Sequence, residues 1–304
     1  MRTMKNFIDI GLLLLGLIAI PLVAVHAAAD CTAAKERVIE AYDLGQSGGS
    51  RVAQQRLLEQ ALALCPRYPE AHNNLAHLLE EAGNFDQAVS HYRQALPLAV
   101  AWYGLGSVEE KRGRLALALN AYLQACRDDP DAQRRVRALL QAGQYRVSEA
   151  GQLLDKESLL LLFDRQRRGE MTRLMADCGF KASVEPVLVF RNITFEVGAA
   201  TLRPEALTQI REIGAALLEV PSGAVRIGGH TDRQPFQSRT AAESDALNRK
   251  LSQERAATVA RELSALGVPA GRLTSTGYGP DVPEDPGNNP EAHARNRRVV
   301  IEVQ

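Results

Sequence analysis

Between Ala33 and Pro130 the sequence repeats itself, and that repetition limits the possible folds more than any other feature. Segments that recur at a period of about 34 residues build stacked, equivalent units, because one unit alone cannot bury its apolar face. Ala71-His72-Asn73-Asn74-Leu75-Ala76 aligns with Ala101-Trp102-Tyr103-Gly104-Leu105-Gly106. Downstream, Gly83, Phe85, Ala88, Tyr92 and Ala95 match Gly113, Leu115, Ala118, Tyr122 and Ala125, while Gly49, Leu58, Ala61 and Pro66 fit the frame one unit earlier. Small residues let two antiparallel helices approach, large ones fill the gaps, and glycine closes the turn between them. A proline then ends the second helix.

This pattern resembles the tetratricopeptide repeat family, in about three copies with a shortened junction at Leu96-Pro97-Leu98. The resemblance implies an α-helical solenoid over residues 31–142 whose concave surface receives a peptide or a protein partner. A simple spacer would carry the same packing residues. Asn73, Asn74 and Tyr103 are candidate contacts, with Trp102 read as core. A capping helix is expected from Asp131 to about Leu140. A connector follows over 143–186, with a short buried helix at Ser158–Phe163 after the charged Asp155-Lys156-Glu157.

The first residues have the form of an export signal. Arg2 and Lys5 precede an uncharged run from Ile10 to Val25, and Val25-His26-Ala27 and Ala27-Ala28-Ala29 offer cleavage sites. The expected signal peptide spans 1–29, the alternative being an uncleaved anchor. Asp30 before Cys31 argues against a lipoprotein. Cys31, Cys65, Cys126 and Cys178 survive cleavage into an oxidising compartment. Of the three possible pairings the preferred one joins Cys31 to Cys65, at the start of one helix and the end of its antiparallel partner. It leaves Cys126 for Cys178; buried free thiols are the alternative. The 36 basic and 36 acidic side chains cancel, and no concentrated basic face suggests nucleic acid.

From Pro186 onward strand and helix patterns alternate. Val187–Phe195 reads as a strand, and Pro204 opens a helix carrying Ala206, Ile210, Ile213 and Leu217 on one face. Ala224–Gly229 reads as a second strand. Ser252 reads as the N-cap of a helix carrying Ala256, Val259, Ala260 and Leu263, which puts Arg255 in its first turn. Arg272–Tyr278 and Arg298–Val303 supply two more strands. The class is therefore α+β and multidomain: a helical solenoid followed, over 187–304, by a β-α-β-α-β-β sandwich with one helical layer on a mixed sheet.

Three motifs fall in order here: Gly229-His230-Thr231-Asp232, Asn248-Arg249-Lys250-Leu251-Ser252-Gln253-Glu254-Arg255-Ala256, and Arg295-Asn296-Arg297-Arg298-Val299. With Phe195 and Gly277-Tyr278-Gly279 they closely resemble the OmpA C-terminal-like, peptidoglycan-associated family. Position by position, the resemblance gives ligand-holding roles to Asp232 and Arg255 and supporting contacts to Thr231, Asn248 and Arg297. The ligand implied is diaminopimelate of the peptidoglycan stem peptide, whose side-chain carbon carries an ammonium and a carboxylate. A carboxylate accepts from the ammonium, and a guanidinium fork holds the carboxylate. At about 1.5–3 kcal/mol net for each charge-assisted bond, binding is micromolar to millimolar and becomes firm through multivalency. The bland alternative is a salt bridge between Asp232 and Arg255.

Short-loop members of the family have glycine three residues after the aspartate, where Pro235 stands here. With a long stretch from Arg233 to Leu247, the chain resembles the branch that includes MotB-like stator proteins. Ser252 as a helix cap leaves no nucleophile for a triad with His230, and no carboxylate pair suits glycoside cleavage. His230 is expected to brace its loop, and Asn296 and Arg298 to order the last strand. The expected protein is a periplasmic, non-enzymatic adaptor without metal or cofactor, associated with the wall and the outer membrane. It would bind peptidoglycan at one end and an envelope protein through the repeats. Membrane contact would come only through an uncleaved N-terminal segment or a partner. A secretion or assembly scaffold acting mainly through the repeats is the alternative, and a wall hydrolase ranks third.

Overall fold

The structure is a computed structural model that describes residues 31–304, Pro221 excepted. The expected export segment at 1–29 lies outside the described residues. Among them no helix is long and apolar enough to cross a membrane.

Seven helices come first: α1 (Cys31–Gln46), α2 (Arg51–Leu64), α3 (Pro69–Glu81), α4 (Phe85–Gln94), α5 (Ala99–Lys111), α6 (Leu115–Ala125) and α7 (Pro130–Ala142). The first six pack as three successive pairs, as the repeat predicts. Gly83 and Gly113 close two of the turns at φ 77° and 74°, a conformation L side chains rarely adopt. Gly104 matters for a different reason: a Cβ there would sit 2.3 Å from the Tyr92 ring. Leu96 and Leu98 pack against the repeat core, so the array continues through the shortened junction. Buried Glu80 accepts hydrogen bonds from Tyr92 Oη (2.7 Å) and, from the next repeat, Ser107 Oγ (2.6 Å) and Lys111 Nζ (2.7 Å). The capping helix α7 starts with Pro130, is capped by the Asp129 carboxylate, and ends at left-handed Gly143.

The connector is built rather than loose. It contains β1 (Val147–Ser148), α8 (Lys156–Phe163) and α9 (Arg165–Asp177). Asp155 caps α8 by accepting from the Ser158 amide, and every residue from Ser158 to Phe163 is buried. A helix apolar all round must be covered on every side, and α8 lies between α6 and the first helix of the C-terminal unit, α10 (Ala206–Glu219). One apolar cluster therefore runs from Ala116 in α6, through Leu159–Phe163, Met171 and Met175, to Leu188, Ile210 and Ile301. Cys31–Cys65 and Cys126–Cys178 are both bridged, with Cα separations of 5.0 and 5.8 Å. The first closes the α1–α2 pair, and the second ties the end of α6 to the end of α9.

The C-terminal sheet also contains β2 (Val187–Phe190), β3 (Val225–His230), β4 (Leu273–Gly279) and β5 (Val299–Val303), in the order β1-β2-β5-β3-β4. β5 runs antiparallel to β2 and β3, whereas β1–β2 and β3–β4 are parallel, so the sheet is mixed as expected. Leu188, Phe190, Val225, Ile227, Val299, Ile301 and Val303 alternate along their strands and are buried. α10 and α11 (Ala241–Ala265) form the helical layer, and α12 (Pro290–Asn296) is an additional short helix before β5.

Four local expectations change. The strand read as Val187–Phe195 stops at Phe190, where Arg191 turns away to Glu149 and Glu284. Phe195 instead bridges Leu202 in a hairpin. Pro204 lies in a turn before α10 rather than in its first turn. Ser252 is no N-cap: α11 starts eleven residues earlier, at Ala241, behind a Thr240–Glu243 capping box. The stretch 233–247 is consequently helical from Ala241 on, and Arg255 lies deep within α11 rather than in its first turn.

Candidate functional site

Two glycines set the site's geometry by bringing α11 down onto the sheet. A Cβ on Gly229 would lie 2.2 Å from the Ser252 carbonyl oxygen, and one on Gly277 would lie 2.3 Å from the Gln253 amide nitrogen. The first half of α11 packs with a polar stripe. Ser244 Oγ accepts from the Phe236 amide (3.1 Å), Asn248 Nδ2 donates to the Gln234 carbonyl (3.5 Å), and Ser252 Oγ accepts from the Gly279 amide (2.8 Å). These bonds fix the chain that leaves β3, and with it Asp232.

Asp232 and Arg255 line one cavity of about 680 Å³. Asp232 is buried, and its Oδ2 accepts from Arg297 Nη1 at 2.6 Å while Oδ1 accepts from the Gln234 amide at 3.1 Å. Arg255 makes no ion pair with it. Its Nε donates to the Ala199 carbonyl at 3.0 Å, and its guanidinium carbon stands 4.9 Å above the Phe195 ring. Burial pushes the Arg255 pKa down, against the opposing charge of Asp232, and Arg297 adds to the downward shift. The bland expectation, a salt bridge between the two, is thus replaced by one between Asp232 and Arg297. Arg255 faces the same space with no carboxylate in ion-pair contact among the described residues.

Arg297 lines the cavity as well, whereas Thr231 and Asn248 do not. Asn248 acts on the loop through Gln234, and the Thr231 hydroxyl is buried without a partner. Asn296 and Arg298 hold the segment before α12 rather than ordering β5 alone. Asn296 Oδ1 accepts from the amides of Glu284 and Asp285, and Arg298 Nη2 donates to the Val282 carbonyl at 3.1 Å. Sequence reasoning missed the hairpin wall, Thr194–Arg203, and the connector residues Glu149 and Ala150, which also line the cavity. The Phe195 motif residue pointed toward the hairpin. Nothing local signalled Glu149, which arrives through β1. No cluster of three metal-ligating side chains occurs among the described residues.

His230 stacks on Tyr278, with ring centroids 5.0 Å apart and planes within 15°. Its Nδ1 is buried without a partner, so it braces the loop through one ring nitrogen at most. Burial, aided by the charge of Arg298, pushes its pKa down to about 4. A folded-state pKa below the unfolded value of about 6.5 favours the neutral ring, so its stabilisation is complete above pH ~6.5 and is lost as pH falls toward ~4. Urea unfolding at pH 7 and pH 4.5 should show a larger acid loss for the native chain than for His230→Phe, by about 2–3 kcal/mol. Equal losses would place His230 outside the acid response.

The OmpA family model matches residues 194–297, and two tetratricopeptide repeat models match 57–90 and 99–133. The chain is similar to "Probable lipoprotein YiaD" of Escherichia coli K12, at 36% identity over 110 residues, covering 36% of this chain and 47% of that protein. It is similar to Outer membrane protein P5 of Haemophilus influenzae, at 41% identity over 88 residues, covering 29% and 23%. It thus spans about half the length of the first relative and about a quarter of the second. Among solved structures, the cell wall anchor of the T6SS from Pseudomonas aeruginosa aligns at 36% identity and a TM-score of 0.34, covering 38% of this chain and 79% of that one. Residues 194–297 are an OmpA-family domain, and the helical array before them carries two matched tetratricopeptide repeats within residues 57–133.

Proposed function

We propose that this chain tethers an envelope complex to the cell wall. Its OmpA-family domain would bind the diaminopimelate headgroup of the peptidoglycan stem peptide, and the repeats would dock a protein partner. The observation that carries the reading is that Asp232 and Arg255 line one cavity without being bonded to each other. A ligand ammonium reaches the Asp232 carboxylate, which Arg297 holds in orientation, and a ligand carboxylate reaches the Arg255 fork. Phe195 and the Ala199 carbonyl hold that fork in place, so little side-chain freedom is lost on binding. Asn248, and Thr231 through its backbone amide to the Gly279 carbonyl, support the loop that carries Asp232. The placement is periplasmic in this reading, and the role is binding rather than catalysis.

The repeats offer a groove between α1, α3 and α5, where exposed Ile39, Tyr42 and Val100 surround Asn73 and Asn74. That patch supports partner docking. Trp102 is half-buried against both cores, in keeping with a packing role.

The test uses the full chain, because one core runs from the last repeat through the connector to the sheet. Isolated sacculi should sediment it, and free meso-diaminopimelate should release it. Asp232→Asn should weaken headgroup binding by about tenfold or more, the loss of one charge-assisted contact. Sedimentation unaffected by both the competitor and Asp232→Asn would overturn the site. Release of soluble muropeptides from the sacculi would point to a hydrolase instead.

A further inference from the structure

The cavity is larger than one amino-acid headgroup needs. At about 680 Å³ it lies within the roughly 300–1,000 Å³ range of sites that enclose whole drug-sized ligands. Six arginines line it with three carboxylates, and Glu284 and Asp285 just outside the lining pair with two more of the arginines. Four of the six are matched: Arg191 to Glu149 (2.5 Å), Arg295 to Asp285 (2.8 Å), Arg297 to Asp232 (2.6 Å) and Arg298 to Glu284 (3.3 Å). Arg255 has no carboxylate in ion-pair contact, and its ligand is already assigned in the reading above. The sixth is Arg203.

Arg203 stands on the return strand of the Thr194–Arg203 hairpin, and its amide donates to the Thr194 carbonyl at 3.0 Å. It makes a long ion pair with Glu196 at 3.7 Å, in which both side chains are exposed (41% and 55%), so the pair is weak. Its Nε is out of solvent yet has no hydrogen-bond acceptor, and Thr194 Oγ1 beside it is likewise buried and unpartnered. Both residues line the cavity. So do nine-tenths-buried His230 and Arg191, which bring the unpartnered atoms Nδ1 and Nε. Buried polar groups normally find partners; His230 and Arg191 also border the neighbouring cavity beside Tyr278, but the orphaned atoms of Arg203 and Thr194, adjacent in the hairpin, mark a place where a polar ligand supplies them. The atoms there without a hydrogen-bond partner, Arg203 Nε and the Thr194 hydroxyl, can both donate, and the guanidinium is cationic, which selects a carboxylate.

We propose that Arg203 and Thr194 form a second, carboxylate-binding subsite, which takes a neighbouring carboxylate of the same stem peptide whose diaminopimelate headgroup lies between Asp232 and Arg255. This rests on the headgroup reading and extends it from one residue to a peptide. Two carboxylates flank the diamino acid in a stem peptide: the α-carboxylate of the preceding D-glutamate, and the terminal carboxylate of a following D-alanine. The Thr194 hydroxyl and the guanidinium Nε can bind either one. The cavity then discriminates an intact stem peptide from a free diamino acid, and an amidated peptide from an acidic one.

Calorimetric titration of the full chain with four ligands tests this: free meso-diaminopimelate, the L-Ala-γ-D-Glu-diaminopimelate tripeptide, its D-isoglutamine form, and the tetrapeptide ending in D-alanine. Arg203→Gln should weaken tripeptide binding about tenfold and free diaminopimelate less than about twofold. Amidation should cost the native chain the same factor and cost Arg203→Gln nothing further, the signature of a shared contact. Thr194→Val should give a smaller loss in the same direction. A loss confined to the tetrapeptide supports the subsite and assigns it to the terminal carboxylate. Native binding of free diaminopimelate with no Arg203 dependence on any peptide overturns the subsite alone. An equal loss on free diaminopimelate also overturns it, because Arg203 would then act on the headgroup. No binding of free diaminopimelate by the native chain overturns the headgroup reading and this proposal together.

Discussion

Replacing Cys126 and Cys178 together with alanine is expected to lower unfolding stability by about 4 kcal/mol. The bond closes a segment with a sequence separation of 52, and releasing it frees the unfolded chain by roughly that amount in the chain-entropy account. Its place in the fold magnifies the consequence. It joins the end of α6, in the last repeat, to the end of α9, and between them α8 is buried against both α6 and α10. Arg114, in the turn before α6, reaches Asp155 and Glu157 at the start of α8 while also pairing with buried Glu109. The last repeat, the connector and the sheet thus share one core held at this joint, while the earlier repeats have a core of their own. Loss of the Cys31–Cys65 bond, at a separation of 34, removes a similar chain constraint, but α1 is the terminal helix of a solenoid and frays locally. Urea unfolding read by hydrogen exchange should therefore show α8 and α9 losing protection in the first variant and α1 in the second. If the Cys126/Cys178 variant unfolded at the native midpoint, apolar packing around α8 would by itself account for the joint.

The repeats were legible because their packing demands particular sizes at particular places. Gly104 must be glycine for Tyr92 to lie across it, and the spacing that achieves this recurs in the sequence. The sheet was legible through its alternation, as in Leu188 and Phe190 or Val299, Ile301 and Val303. The start of α11 was not. Its first half buries Ser244, Asn248 and Ser252 against backbone amides and a carbonyl, so no apolar period runs through Ala241–Leu251, and hydrophobic periodicity detects only the half that follows. The Thr240–Glu243 capping box was the available signal. At the site, Asp232 and Arg255 were readable from motif order. The Asp232–Arg297 ion pair was not, because it joins residues 65 apart through the β3–β5 pairing. The Arg203 and Glu149 walls depend on a hairpin and on a connector strand, whose position is set by tertiary contacts rather than by any local pattern.

The same glycine that begins the Gly229-His230-Thr231-Asp232 motif underlies the second large effect. Gly229→Ala places a methyl group 2.2 Å from the Ser252 carbonyl oxygen and 3.0 Å from its carbon, and both are backbone atoms at the middle of a long helix. A flexible side chain could swing away; the α11 backbone can yield only by lifting off β3. Forced overpacking of this kind costs about 3 kcal/mol or more. Lifting α11 also breaks the bond from the Gly279 amide to Ser252 Oγ and carries Arg255, three residues further along, away from Asp232, three residues beyond Gly229. Stability and ligand affinity should therefore fall together in Gly229→Ala, even at temperatures where the variant remains folded. Gly271→Ala is the matched control, because a Cβ there meets nothing within 4 Å; it should stay within about 0.5 kcal/mol of the native chain and bind as before. Thermal unfolding and diaminopimelate titration of the two variants measure both effects. A folded Gly229→Ala chain with native affinity would show that the helix-to-sheet spacing does not set the distance between the two charges.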